Sequence, residues 1–317
     1  MARTSAWFLN FDADEELASP AGYTPRRAVL ERFAGLVEAA AGLRRPGDIV
    51  VPEGAAPGFL KSLQFSRNGA EFVGRSFCPT PRALKALARA GAIVLIAPSL
   101  DVLRSVNHRS FSAKLGQTLP GAKFVRSLEA LEEVIAGPSP TGKFLAKRPF
   151  GFAGRGRWVL NALRGGRVED SARAFLEASF RGGEGLQVEP LVERAGDFGL
   201  HGHIARSGQV SFGAPTRQTC DATGAWIGSL RAEPGDLSAE ERRMLEAEAE
   251  TAAESLRTAG YFGPFGIDAF RWIDEHGRAR FNPRCEINAR YSMGWAAGMG
   301  ARRPDLDEED ESGAPSS

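Results

Sequence analysis

An α/β fold, α+β in its later part, is what this sequence predicts: an open amino-terminal α/β domain followed by a strand-rich body. Three observations carry the prediction. The first hundred residues alternate strand-like and helix-like stretches, and residues 92–98 form a continuous apolar run of the kind found in strands buried on both faces. From Leu186 onward, short strand patterns follow one another up to a long helix with a clear start signal at Ser238.

The elements follow in order. Residues 7–11 read as a strand, and Pro25 opens a helix over residues 26–41 whose Val29, Phe33, Leu36, Val37 and Ala40 share one face. Residues 48–52 are a second strand, Pro81 opens a short helix carrying Leu84, Leu87 and Ala88, and residues 92–98 are a third strand. A helix is expected over 107–119, a strand over 122–125, and a helix over 128–136 that stops at Gly137 and Pro138. Strands over 143–149 and 157–161 flank a tip containing Gly151, Gly154 and Gly156, and a helix over 171–180 follows. Strands are then expected at 186–192, 198–205 and 210–214. Ser238, with Glu241 three residues on, has the spacing of a capping box, and Leu245, Ala249, Ala252, Ala253 and Leu256 form the buried side of that helix. Residues 265–273 and 278–289 make a final hairpin around Glu275, His276 and Gly277. The acidic stretch 304–317 is expected to be disordered.

Composition excludes several function classes. The chain has 317 residues, 43% hydrophobic and 25% charged, enough for more than one small core. Its 40 basic and 39 acidic residues leave a net charge of +1, so no global field exists to hold nucleic acid or an anionic membrane. The run 92–98 is far short of the roughly 20 apolar residues that span a bilayer. The stretch 6–11 is too short for a signal peptide, so the cytoplasm is the expected location. Cys78, Cys220 and Cys285 are scattered and odd in number, which argues against a disulfide framework or a zinc cluster. Only six of the basic residues are Lys, and four of those (Lys114, Lys123, Lys143, Lys147) fall in one short stretch, which directs attention there.

Two phosphate-binding loops compete in that stretch. Gly137-Pro-Ser-Pro-Thr-Gly142-Lys143 has the spacing of a Walker loop, but Phe144 stands where Ser or Thr must coordinate magnesium, and the segment precedes a strand instead of a helix. It reads as a structural connector. Lys147 followed by Gly151, Gly154 and Gly156 is the alternative, because glycines let backbone N–H groups approach phosphate oxygens. An ordinary glycine-rich hairpin would look the same. The far end of the chain breaks the tie: Asp268 lies on one expected strand, Glu286 and Asn288 on the next, and alternate residues of a strand share a face. Three hard oxygen donors suit Mg2+ on the phosphates of ATP. Arg290 continues the same face, while Cys285, Ile287 and Ala289 alternate toward the core, where Cys285 has no role.

These residues resemble the ATP-grasp superfamily of carboxylate ligases over roughly 105–298, which implies a two-subdomain ATP-grasp fold after the amino-terminal domain. The divisions implied are 1–105, a preceding α/β domain; 106–185, a subdomain with the glycine lid; 186–300, a subdomain with the metal site; and the tail 304–317. Lys147 with Gly151, Gly154 and Gly156 is similar to the family's lysine and flexible loop. Val188-Glu189-Pro-Leu-Val192 is similar to the segment that holds the adenine through Glu189 and Val192, and Asp197 to the residue that takes the ribose hydroxyls. Gly266-Ile-Asp268 and Glu286-Ile-Asn288-Ala-Arg290 resemble the two metal-binding strands. One departure stands out: the family's earlier phosphate lysine is replaced by Arg109 in Asn107-His108-Arg109, with Lys114 as its rival.

The resemblance implies ATP and Mg2+ as cofactors, two magnesium ions among them and Mn2+ as a substitute. It implies small-molecule carboxylate and amine substrates joined through an acyl phosphate, with Lys147 and Arg290 as the catalytic cations. A homo-oligomer is compatible with it. A kinase on the same scaffold and an ATP-binding regulatory module are the competing readings. His201 and His203 share a strand face, but no further His or Cys nearby completes a zinc site, so packing or substrate contact is expected of them. Thr216, Arg217 and Gln218 are expected on a loop near the substrate.

Overall fold

Residues Thr4–Phe8 form β1, in which Ser5 to Phe8 are all buried, as a strand must be when helices cover both faces of its sheet. The computed structural model describes residues 3–64, 71–151, 156–162, 168–221 and 226–306. Strand β1 pairs in parallel with β2 (Ile49–Val50) and β3 (Phe72–Ser76), and β3 with β4 (Ile93–Val94), in the order β2-β1-β3-β4. Helices α1 (Ala13–Ala18), α2 (Arg27–Ala34), α3 (Leu36–Ala39), α4 (Phe59–Gln64) and α5 (Pro81–Ala90) complete this unit. Alternation along β1 sends Trp7 to a core with Phe11, Phe33, Phe77 and Trp295, and Ala6 and Phe8 to another with Leu60, Phe72 and Leu87.

Residues 92–98 are not a central strand. Only Ile93 and Val94 pair, on the open edge of the sheet, and Ile93, Val94 and Ile96 are 42%, 36% and 65% exposed. Apolar composition cannot separate an edge from a centre, because that depends on which strand lies alongside. The expected helix 26–41 is divided at Gly35, which costs about 1 kcal/mol in a helix interior. Of the expected helix 107–119 only α7 (Arg109–Lys114) forms, and α6 (Leu100–Asn107) lies before it. His108 between them is extended, and its Nδ1 accepts the Ser110 N–H as a cap for α7.

A second sheet is built from β5 (Lys123–Val125), β6 (Lys143–Lys147), β7 (Arg157–Asn161) and β8 (Leu186–Pro190), antiparallel in the order β5-β8-β6-β7. Helices α8 (Leu128–Ile135) and α9 (Asp170–Arg181) pack on the face carrying Phe144, Ala146, Leu186 and Val188. The period of two therefore turns Leu145, Lys147, Gln187 and Glu189 the other way. The Walker-like segment is a turn into β6, in which Ser139 Oγ donates to the Lys143 carbonyl at 2.5 Å.

The largest sheet runs β12-β11-β9-β13-β14, with β9 (Glu193–Ile204), β11 (Thr216–Cys220), β12 (Trp226–Arg231), β13 (Gly263–Ile273) and β14 (Ala279–Asn288), while β10 (Val210–Phe212) pairs with β9. Thr216–Gln218, expected on a loop, is thus strand, hydrogen-bonded to both β9 and β12. Helix α10 (Ala239–Thr258) has the expected capping box at Ser238 and Glu241 and packs Leu245, Ala249, Ala252, Ala253 and Leu256 against Phe198, Leu200, Ile267, Ile287 and Ala289. Helix α11 (Trp295–Met299) brings Trp295 to the core under Trp7.

The acidic stretch corrects its own expectation at its start. Residues 304–306 are helical and Asp305 is 6% exposed, while 307–317 lie outside the described residues. Tyr291 Oη and Arg303 Nη2 donate to Asp305 Oδ2 at 2.7 and 2.8 Å, and Arg75 Nη1 donates to its carbonyl at 2.8 Å. Composition marks this segment as polar; hydrogen bonds from Arg75 and Tyr291, with the neighbouring Arg303, make it part of the fold. Burial by itself would push the Asp305 carboxyl up, but the Arg303 and Tyr291 hydrogen bonds and the Arg75 charge hold it below its ordinary value. A depressed folded pKa stabilises above the unfolded value and is lost as pH falls through the folded one. Asp305→Asn is therefore expected to cost about 2 kcal/mol at pH 7, with the gap to wild type closing on acidification below about pH 4. Urea melts at pH 7 and pH 3 check this, and a gap of constant size would contradict it.

Candidate functional site

Antiparallel pairing sets Asp268 of β13 directly opposite Glu286 of β14, and Gly266 opposite Asn288. The three polar side chains thus stand on one face of the sheet while Ile267, Ile287 and Ala289 fill the core on the other. Asp268 Oδ1 accepts from Gln218 Nε2 at 2.8 Å and Oδ2 from Asn288 Nδ2 at 2.9 Å. Burial raises the Asp268 carboxyl above its ordinary value and the facing Glu286 charge raises it further, against those two hydrogen bonds. Two carboxylates opposed in this way, with an amide oxygen beside them, make a hard-oxygen donor set whose repulsion a divalent cation would relieve. Among the described residues no cluster of three His, Cys, Asp or Glu forms a metal site of another kind.

Two arginines reach this face from different units. Arg109, at the start of α7, donates from Nη2 to Glu286 Oε1 at 2.7 Å and from Nη1 to the Arg148 carbonyl at 2.7 Å. Lys114 lines the adjoining cavity. Arg290 is 5% exposed and donates from Nη2 to Asp14 Oδ2 at 2.8 Å and from Nη1 to the Tyr291 carbonyl at 3.2 Å, with its guanidinium over the Phe77 ring. Its charge is therefore compensated by an acidic residue 276 positions away, which sequence reasoning missed.

On the opposite wall, Lys147 Nζ lies 2.5 Å from Glu189 Oε1, both nearly buried, on adjacent strands of the second sheet. Glu189, Arg109, Cys285 and Glu286 line one cavity of about 570 Å³. Gly151, Asp268, Glu286, Asn288 and Arg290 line a second of about 150 Å³, so Glu286 is shared by both. Cys285 ties the walls together. Burial pushes its thiol up to about 12, while the positive charges of Arg194 and Lys147 oppose the rise and Asp268 and Glu189 add to it. Arg109 bonds both the Arg148 carbonyl and Glu286, and Gly151 lines one cavity with Asp268 and Glu286, which sets the base of the glycine hairpin beside the acidic strands.

Cys285 itself departs from expectation, since it lines the cavity. Between Asp268 and Phe270 the ladder shifts: two steps of β13 span four of β14, from Glu286 to Asn282, and this irregularity re-aims the intervening side chains. Gly156 has φ +67° and its carbonyl accepts from Arg148 N at 2.7 Å, closing the base of the hairpin tip; Gly154 lies outside the described residues. Asp197 accepts from Arg194 Nη1 at 2.7 Å, and Arg194 stacks 4.0 Å from the Phe270 ring. Val192 packs with Leu119, Phe270 and Trp272 and borders a different groove, of about 1120 Å³. His201 and His203 are both buried, and burial lowers each to about 4, so both are neutral at pH 7.

No family model matches the sequence, and no curated protein matches it. Solved structures do. D-alanyl-alanine synthetase A from Vibrio cholerae aligns with a TM-score of 0.51 at 13% identity, over 98% of this chain and 94% of that one. The biotin carboxylase domain of Hydrogenobacter thermophilus 2-oxoglutarate carboxylase, solved with MgADP, ADP and bicarbonate, aligns at 0.51 and 14%, over 92% of this chain and 65% of that one. Biotin carboxylase from Campylobacter jejuni, in an ATP complex, aligns at 0.50 and 12%, over 93% and 71%. At such identities the likeness is one of fold.

Proposed function

Because the chain has the ATP-grasp fold, we propose that it is an ATP- and Mg2+-dependent ligase that activates a carboxylate as an acyl phosphate and joins it to an amine. The observation that carries this reading is the Asp268 and Glu286 pair facing each other across β13 and β14, with Arg109 on Glu286 and Lys147 on the opposite wall. Asp268, Glu286 and Asn288 would hold the metal, whose charge offsets the triphosphate. Lys147, released from Glu189, and Arg109 would neutralise phosphate oxygens. Glu189, Val192 and Asp197 would border the nucleoside, and the hairpin with Gly151, Gly154 and Gly156 would exclude water. Arg290, oriented by Asp14, would face the acyl group.

In the first step a carboxylate oxygen forms a bond to the γ-phosphorus as the bond to the β-bridging oxygen breaks and ADP leaves. In the second, the amine nitrogen bonds to the acyl carbon, the bond to the phosphate-bearing oxygen breaks, and the amine proton passes to solvent. Positioning and charge neutralisation dominate such transfers. The test is incubation with Mg-ATP, pooled carboxylic acids and hydroxylamine. The expected products are ADP, phosphate and an acyl hydroxamate. AMP with pyrophosphate would exclude this route, and ADP with a stable phosphoester would indicate a kinase.

A further inference from the structure

The acceptor end of the cleft contains a feature that the reading above does not use. His201 stands on β9 with 1% exposure, enclosed by four glycines. A Cβ added to Gly294 would come 2.7 Å from its Nε2, one on Gly199 3.0 Å from Cε1, one on Gly298 3.5 Å from its Cβ, and one on Gly266 3.6 Å from Nδ1. At Gly294 a side chain would collide with the ring, and at Gly199 it would crowd the ring and Gln218 together. Nε2 lies 3.1 Å from Ser292 Oγ, and Nδ1 has no hydrogen-bond partner among the described residues.

That arrangement favours one tautomer. A neutral imidazole carries one N–H and one bare nitrogen. Orphaned buried N–H groups are rarer than orphaned acceptors, so the proton belongs on Nε2, where it is donated to Ser292 Oγ. Having accepted there, the Ser292 hydroxyl directs its own proton to its open side. That side is the cavity of about 150 Å³ shared with Asp268, Glu286, Asn288 and Arg290, whose remaining walls include Leu36, Trp226 and Met293. Trp226 Nε1 is engaged by Ser229 Oγ at 2.8 Å.

We propose that Ser292, aligned by His201, donates a hydrogen bond to the substrate carboxylate, and that the substrate is a small monocarboxylic acid with an apolar body. This rests on the ligase reading for the identity of the reacting group. Arg290 is balanced by Asp14, so the pocket meets one negative charge with one neutral hydroxyl and a compensated cation. Of the other described walls, Leu36, Trp226 and Met293 are apolar and Gln218 is engaged by Asp268, which disfavours a second carboxylate on the same substrate. His201 is a positioning residue, and Ser292 touches the substrate.

The experiment uses the full chain with ¹⁵N-labelled histidine, butyrate as probe and Mg-ADP present, with the His201 resonance assigned through His201→Gln. The expected result is the Nε2–H tautomer and a butyrate-dependent shift of Nε2. Ser292→Ala should weaken butyrate about 10- to 100-fold, as loss of a hydrogen bond to a charged group does, with ADP affinity unchanged. Ser292→Thr should restore it, and His201→Gln should retain more affinity than His201→Leu. An Nδ1–H tautomer, no butyrate binding by the wild type, or equal binding by Ser292→Ala would each overturn the proposal. ADP affinity reports whether each variant is folded, and Ser292→Ala carries the test if His201→Leu is not. Butyrate binding without any acid-dependent ADP release would leave this site standing and remove the ligase reading.

Discussion

Glu286→Gln is expected to lower acid-dependent ADP release by about 10²–10³-fold, the size of loss seen when one preorganised charge-stabilising group is removed from an active site. The substitution keeps the shape of the side chain and takes away only its charge. Glu286 is 27% exposed and lines two cavities, and its amide replacement still accepts from Arg109 Nη2. The folded chain also gains something, because Asp268 no longer faces a second negative charge. Its melting temperature should therefore move by no more than about 2–4 °C. Steady-state kinetics, a thermal melt and Mn2+ binding followed by electron paramagnetic resonance separate the possibilities. Full turnover with undiminished Mn2+ affinity would remove Glu286 from the metal site and with it the reading of the cleft.

Trp295→Ala should destabilise the chain by about 3–5 kcal/mol, the range for emptying a buried aromatic site. Trp295 is fully buried and its Nε1 donates to the Gly202 carbonyl at 3.0 Å. Its ring meets Tyr291 edge-on at 5.0 Å, and Tyr291 meets Trp7 edge-on at 5.3 Å. This aromatic chain joins the amino-terminal parallel sheet to the largest sheet, so its loss removes packing on both sides. Trp295→Phe keeps a ring but not the N–H and should cost less, about 1–2 kcal/mol. Guanidinium chloride unfolding measures both. A loss below about 1 kcal/mol for Trp295→Ala would mean that the two sheets are held together elsewhere.

Much of the cleft was legible because its information is local. The alternation of Glu286, Asn288 and Arg290 with Ile287 and Ala289 is a period of two, and a strand obeys it wherever it lies. The Ser238 and Glu241 capping box is likewise local, needing only three residues of spacing. Cys285 shows the limit: the same period assigned it to the core, and a ladder shift seen only when β13 lies beside β14 turned it to the cavity. The strand at Thr216–Cys220 was missed because its polar residues are ordinary for a loop until β9 and β12 pair with them.

By itself, then, the sequence determined the class of fold, the polar face near the carboxyl end and the lysine-bearing hairpin, all of which follow from spacing along a few residues. Tertiary structure alone decided that Ile93 and Val94 sit on an edge, that Asp305 is buried, that Asp14 balances Arg290, and that four glycines close around His201. Each of these is a contact between residues far apart in the chain. The free energy of a buried charge or an enclosed ring depends on what folding brings against it, and no periodicity encodes that neighbour.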